Sequence, residues 1–180
     1  MSRLRVWSET DASLPLLETL EHHQIAALLG ERGVRFERWT TRSVPAEATQ
    51  DEVLAAYAEE VAKLKRQGGY TGCDVIGVGP DHPDREALRH KFLEEHTHSE
   101  DEVRFFVAGC GLFTLHLGDR VYEVLCRRGD LIGVPRGTPH WFDMGSRPFF
   151  TAVRLFGSPS GWQAVFTGSK IAERFPRHLS

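Results

Sequence analysis

From residue 102 onward the chain is a series of short apolar runs cut by glycine and proline. Residues 103–108, 112–117, 121–125, 131–134, 140–144 and 149–156 each have the length and composition of a strand. Gly109 and Gly111, Gly118-Asp119, Gly129-Asp130, Pro135-Arg-Gly137 and Gly145-Ser146 separate them. Strands so short and so regularly interrupted predict an antiparallel sandwich or barrel.

The first part of the chain reads differently. Apolar residues at 16, 17, 20, 25, 28 and 29 predict a helix over 15–29 that ends near Gly30 and Gly33. Residues 34–39 alternate as a short strand. Thr49-Gln-Asp-Glu52 is a capping box, opening a helix that carries Val53, Leu54, Tyr57, Val61 and Leu64 on one face and stops at Gly68-Gly69. Residues 73–78 form a small strand between glycines, and a helical turn is expected near 171–175. One domain is therefore expected over 1–180: a helical N-terminal portion to about residue 90 packed outside a barrel core at 91–157, then a C-terminal extension at 158–180.

Within this frame His96-Thr-His98-Ser-Glu-Asp-Glu102 is answered far downstream by His140. On a strand, alternate residues share a face, so His96 and His98 point the same way. Glu102 has the same parity, but four extended residues span roughly 13 Å, too far for one ion. The chain must turn at Ser99-Glu-Asp101, a segment suited to turning. His140 arrives from another strand after Pro135-Arg-Gly137-Thr-Pro139. Three imidazoles and a carboxylate suit iron, nickel, manganese or zinc, and leave coordination positions for a substrate. Arg104 and Phe106 share the inward parity of Glu102, and a buried guanidinium requires an anion or a set of acceptors.

Glu102-x6-Gly109 and Gly129-x5-Pro135-x-Gly137-x2-His140 complete two motifs that resemble those of the cupin superfamily. His90 stands where the first motif usually begins with glycine, and Met144 where the second usually ends in asparagine. Within the superfamily the chain is similar to the acireductone dioxygenase family. The likeness rests on Lys91-Phe-Leu-Glu-Glu-His-Thr-His98, Glu100-Asp-Glu-Val-Arg-Phe105, Val134-Pro-Arg-Gly-Thr-Pro-His-Trp-Phe-Asp143 and Arg154-Leu-Phe156.

That resemblance implies a mainly β cupin double-stranded β-helix (jelly-roll barrel) and one Fe(2+) or Ni(2+) per chain on His96, His98, Glu102 and His140. It implies an enediol substrate and O2. Iron would give formate and the 2-oxo acid precursor of methionine, whereas nickel would give carbon monoxide, formate and methylthiopropionate, in methionine salvage. Arg104 would help to form and hold the substrate dianion, Glu95 would assist metal loading, and Asp101 would relay substrate-induced change. Phe92, Phe142 and Trp162 would surround the substrate, and Arg154 would be either a second anionic contact or half of a sheet-edge ion pair. Glu95, Glu100 and Asp101 are further expected to fix imidazole tautomers as hydrogen-bond acceptors. His22, His23, His82, His116 and His178 fit no ligand spacing and are expected to be surface or structural, with His90 open as a polar neighbour.

Two other readings remain. Another cupin enzyme, such as a sugar isomerase, would want polar residues where Phe92, Phe142 and Trp162 stand. A non-enzymatic binding module would not need four intact ligands. Composition narrows the setting. A formal net charge of −3 without clustered Lys and Arg gives no nucleic-acid footprint. No segment reaches the roughly 18 apolar residues of a membrane span. Three widely spaced cysteines predict reduced thiols, and with no apolar leader at the N-terminus the expected setting is cytoplasmic, the expected state a monomer.

Overall fold

The computed structural model describes every residue except Pro159 and Ser180. Among the described residues eleven strands form two sheets: β1 Arg3–Ser8, β2 Leu17–Thr19, β3 Arg35–Arg38, β4 Gly72–Val78, β5 His96–Thr97, β6 Glu102–Leu117, β7 Arg120–Arg127, β8 Asp130–Val134, β9 His140–Asp143, β10 Phe150–Phe156 and β11 Val165–Phe166. Among the same residues four helices accompany them, α1 His22–Gly30, α2 Gln50–Ala56, α3 Ala58–Gly68 and α4 Arg85–Leu93, with a 3-10 turn at Ile171–Glu173. None of these helices is long and apolar enough to cross a membrane.

The two sheets share β6. Its second half lies between β7 and β9 in the order β11-β5-β9-β6-β7-β1-β2. Its first half lies between β10 and β8, which in turn carry β4 and β3. All these pairings are antiparallel, as the punctuated short strands predicted.

The two separate strands expected at 103–108 and 112–117 are one strand of 16 residues. The glycines between them bend that strand instead of ending it. Gly109 has φ of 68°, and a Cβ there would stand 1.7 Å from the Phe149 carbonyl oxygen, so only glycine fits. Just before it, Ala108 pairs with Thr151 and Phe106 with Ala152, which leaves Val107 without a partner on β10. Such a bulge sharpens the bend and shifts the side-chain alternation by one residue. Phe106 and Phe113, of opposite parity, consequently lie in the same core with Phe142, Phe150 and Ile132.

The N-terminal 90 residues are not only helical. β1 pairs along β7, β3 along β8 and β4 along β10, so this portion completes both sheets of the barrel. The helix expected over 15–29 begins at His22, because Leu17–Thr19 pairs with β1 and leaves the helix to start after it. The helix expected to run from the capping box to Gly68 is broken at Tyr57 (φ −115°, ψ 24°). Tyr57 is fully buried against Phe105, and its hydroxyl accepts the Arg42 amide, contacts that outweigh one more helical turn. The capping box itself is present, Thr49 and Glu52 each satisfying the other's amide. α4 was not foreseen; its hydrophobic spacing is weak and none of its residues is fully buried. The three cysteines are free thiols.

Candidate metal centre

His96 and His140 face each other as register partners on β5 and β9, and His98 follows just after β5. One ring nitrogen of each of His96, His98 and His140 lies within 4.8 Å of the others, and all three side chains are buried. Glu102, first residue of β6, brings Oε2 to 3.1 Å from His98 Nε2 and 3.7 Å from His140 Nε2. The chain turns between His98 and Glu102, as reach required.

The remaining ring nitrogens fix the chemistry of this cluster. His96 Nδ1 donates to the Glu94 carbonyl (2.7 Å), His98 Nδ1 to the Gln163 carbonyl (3.0 Å) and His140 Nδ1 to the Thr138 carbonyl (2.8 Å). A carbonyl only accepts, so each Nδ1 carries the proton and each neutral ring turns an Nε2 lone pair inward. Glu102 Oε2 is buried and accepts no properly directed hydrogen bond. Four lone-pair donors converging in a buried place repel one another unless a cation lies among them. The donor set therefore fits a divalent transition ion.

Electrostatics within the protein agree at Glu102 and His96, whereas His98 runs the other way. Burial alone would raise the Glu102 carboxyl, but the Arg104 guanidinium and the neighbouring imidazoles hold it well below the usual carboxylate range. Burial, with His140 alongside, pushes His96 down to about 4, which keeps it neutral. His98 is also disfavoured by burial, yet the Glu102 carboxylate raises it overall.

Beside the cluster opens a cavity of about 210 Å3. Phe92, Arg104, Phe142, Arg154 and Trp162 line it, together with Ile76, Phe113 and Ala164, which the sequence did not single out. Arg104 is 6% exposed and donates to Glu102 Oε1 at 2.5 Å, while its Nε and Nη1 are buried without a hydrogen-bond partner. Its guanidinium carbon sits 4.8 Å from the Phe113 ring centre and 4.9 Å from that of Phe142, a cation held between two aromatic faces. Arg154 lines the cavity and also forms a two-pronged pair with Asp74, at 2.8 and 2.6 Å.

One expectation needs correction, that of the acceptors for the imidazoles. Neither Glu95 nor Asp101 lines the cavity. Strand alternation that turns His96 inward turns Glu95 outward, where it meets His116 and Thr167. Asp101 accepts the Arg136 amide at 2.8 Å and so ties the two turns that precede Glu102 and His140. The acceptors that fix the imidazoles are backbone carbonyls, not Glu95, Glu100 or Asp101. His90 is an exposed residue of α4 paired with Glu94.

A two-sheet barrel with three inward imidazoles beside a cavity defines a metal-binding cupin. Comparison with known proteins narrows the class. Residues 5–164 match the model of the ARD/ARD' family. The acireductone dioxygenase of Hahella chejuensis is 57% identical over 177 residues, covering 98% of this chain and 96% of that one. That of Synechococcus sp. is 56% identical over 178 residues, covering 98% of both. The solved structure of acireductone dioxygenase from Bacillus anthracis with cadmium ion in active center is 28% identical, with a TM-score of 0.80 over 92% of this chain and 98% of that chain. The chain belongs to the ARD/ARD' family, and it is a dioxygenase.

Proposed function

We propose that the protein cleaves acireductone, 1,2-dihydroxy-3-oxo-5-(methylthio)pentene, with O2. The reaction would use one Fe(2+) or Ni(2+) held by His96, His98, Glu102 and His140. The observation that carries this reading is Arg104: a buried guanidinium on the wall of the cavity, with two donor nitrogens, Nε and Nη1, unmatched by the protein. Unmatched buried donors are costly, and an anionic oxygen of a bound enediol would offset that cost. The family names of the relatives and the cadmium in the active centre of the Bacillus anthracis protein support the same substrate and a metal.

A divalent ion in this site supplies Lewis-acid polarisation of the enediol oxygens. The protein supplies the rest. Arg104 favours the deprotonated enediol by its fixed charge, which Phe113 and Phe142 hold in place and shield from water. Phe92, Ile76 and Trp162 give an apolar wall for the thioether chain. Arg154, held by Asp74, adds a second positive charge to the wall. With iron the products would be formate and 4-methylthio-2-oxobutanoate; with nickel they would be carbon monoxide, formate and 3-methylthiopropionate. Both sets balance the atoms of one acireductone and one O2. In this reading the enzyme serves methionine salvage in the cytoplasm, as a monomer with small-molecule partners only.

The test is to load the purified protein with each metal, add substrate without oxygen, admit oxygen and identify the products. Substrate that survives oxygen in the iron-loaded protein would overturn the proposal.

A further inference from the structure

Helix α4 carries Leu88, Lys91 and Phe92 at i, i+3 and i+4, so the three share one face. Leu88 and Phe92 pack against the core, and the Phe92 ring lies 6.3 Å from that of Phe142. Arg89 fixes the helix to β9 through Asp143, at 2.8 and 3.1 Å. Lys91 is thereby placed on the wall of the cavity beside the imidazoles, which it lines while staying exposed.

A helical lysine commonly meets an acid three or four residues away. Downstream those positions are Glu94 and Glu95, and the fold withholds both. The helix ends at Leu93, and Glu94 is extended (φ −78°, ψ 136°), which breaks the helical spacing. Glu94 lies 3.7 Å from His90. Thr167 and His116 take the two carboxylate oxygens of Glu95. Among the described residues Lys91 has no hydrogen-bond or ion-pair partner.

The other two cations on the wall are differently placed. Arg104 is buried against Glu102, and Arg154 is mostly buried and bound to Asp74. Among the described residues Glu102 is the only acid lining the cavity, and it turns to Arg104, His98 and His140. Lys91 is therefore the outermost charge on the wall, standing where the cavity meets solvent, with no carboxylate paired to it.

An enediol conjugated to a ketone is a vinylogous acid, so it reaches the protein as an anion. A cation at the entrance of a cleft with low-dielectric walls raises the local concentration of such an anion. We propose that Lys91 is a capture residue for the substrate: its ammonium draws the enediolate into the cavity before Arg104 takes hold of it. It lowers KM and leaves the chemical step alone. The inference rests on the reading that the cavity binds an acireductone.

The test compares iron-loaded wild type with Lys91→Gln, Lys91→Glu, Lys91→Arg and Lys170→Gln. Oxygen consumption would be followed at ionic strengths of about 0.01 M and about 1 M, where the screening length is about 30 Å and about 3 Å. At low salt Lys91→Gln should lower kcat/KM about three- to tenfold, the size of one unit charge acting through water at contact range. The loss should lie in KM, with kcat unchanged. Lys91→Glu should lose more, and Lys91→Arg should match wild type. Lys170 sits away from the cavity beside Glu173, so Lys170→Gln should also match wild type although it changes the net charge equally. At high salt wild type and Lys91→Gln should converge. The dissociation constant for substrate, measured without oxygen, should follow the same pattern. Equal kcat/KM in wild type and Lys91→Gln at low salt would overturn the inference. So would a loss that falls on kcat and survives high salt, or an equal loss in Lys170→Gln. A wild type that consumes no oxygen with acireductone would instead remove the reading of the cavity, and this inference with it.

Discussion

Arg104 and Arg154 are direct register partners across β6 and β10, two cations side by side on one cavity wall. Their surroundings differ. Arg154 spends its donors on Asp74, whereas Arg104 is only partly matched by Glu102 and keeps two donors buried and unmatched. Arg104 is thus the residue whose energetics improve most when an anion enters the cavity.

Replacing Arg104 by methionine should keep the volume of the side chain and lose the charge. The expected fall in kcat/KM is about 10²–10³-fold, the size seen when one preorganised donor to a developing charge is removed. Metal content measured alongside should stay near one ion per chain; loss of metal would show that the Glu102 pair, not substrate contact, is the main service of Arg104.

For Arg154→Met the expected change is smaller and falls on KM, since Asp74 already neutralises much of the charge. Steady-state kinetics separate the two arginines. An equal loss of kcat in both variants would contradict this division.

Gly111→Ala tests the cavity from behind. A Cβ at Gly111 would stand 2.3 Å from Cζ of Phe142, the ring that stacks on Arg104 and lines the cavity. The ring must shift, and displacements near 1 Å at a reacting site cost about 10²-fold in rate. We expect kcat/KM to drop far more than the melting temperature; unchanged kinetics with a lowered melting temperature would refute the link.

Asp143 gives a stability prediction with a definite pH sign. Its carboxyl is disfavoured by burial, but Arg89 and the amides of Gly145 and His178 outweigh burial and lower its pKa. A lowered carboxyl contributes stability above its unfolded pKa, about 3.9, and loses that contribution as pH falls through the folded value. Asp143→Asn should cost about 2–3 kcal/mol at pH 7, at the low side of breaking a buried pair because Arg89 is partly exposed. The gap between variant and wild type in urea unfolding should shrink below pH about 4. A gap that is constant with pH would assign the loss to packing.

Metal removal should act on the whole molecule. An ion bound only by the folded chain adds RT ln(1 + [M]/Kd), about 4 kcal/mol at a thousandfold excess over Kd. A chelator should lower the melting temperature of wild type and leave that of His140→Ala unchanged.

Much of this is legible in the sequence. Strand length, turn residues, the capping box at Thr49 and the ligand spacing are local properties, and local properties are written in adjacent residues. Alternation correctly turned Glu102, Arg104 and Phe106 to one side. Alternation does not carry past Gly109, because the unpaired Val107 shifts the parity and brings Phe113 to the cavity. The edge strand at Leu17 was hidden for another reason: β pairing with Leu4–Val6 overrode a helical pattern.

What the sequence determined by itself was the set of donors: three imidazoles, a carboxylate and an arginine of matching parity. What tertiary structure alone decided was how they are aimed. The His98 tautomer depends on a carbonyl 65 residues away, at Gln163. The orphaned donors of Arg104 depend on two rings from β6 and β9, and the place of Glu95 on His116 and Thr167. Hydrogen bonds and ring contacts between distant segments leave no periodic trace along the chain, so only the folded molecule could show them.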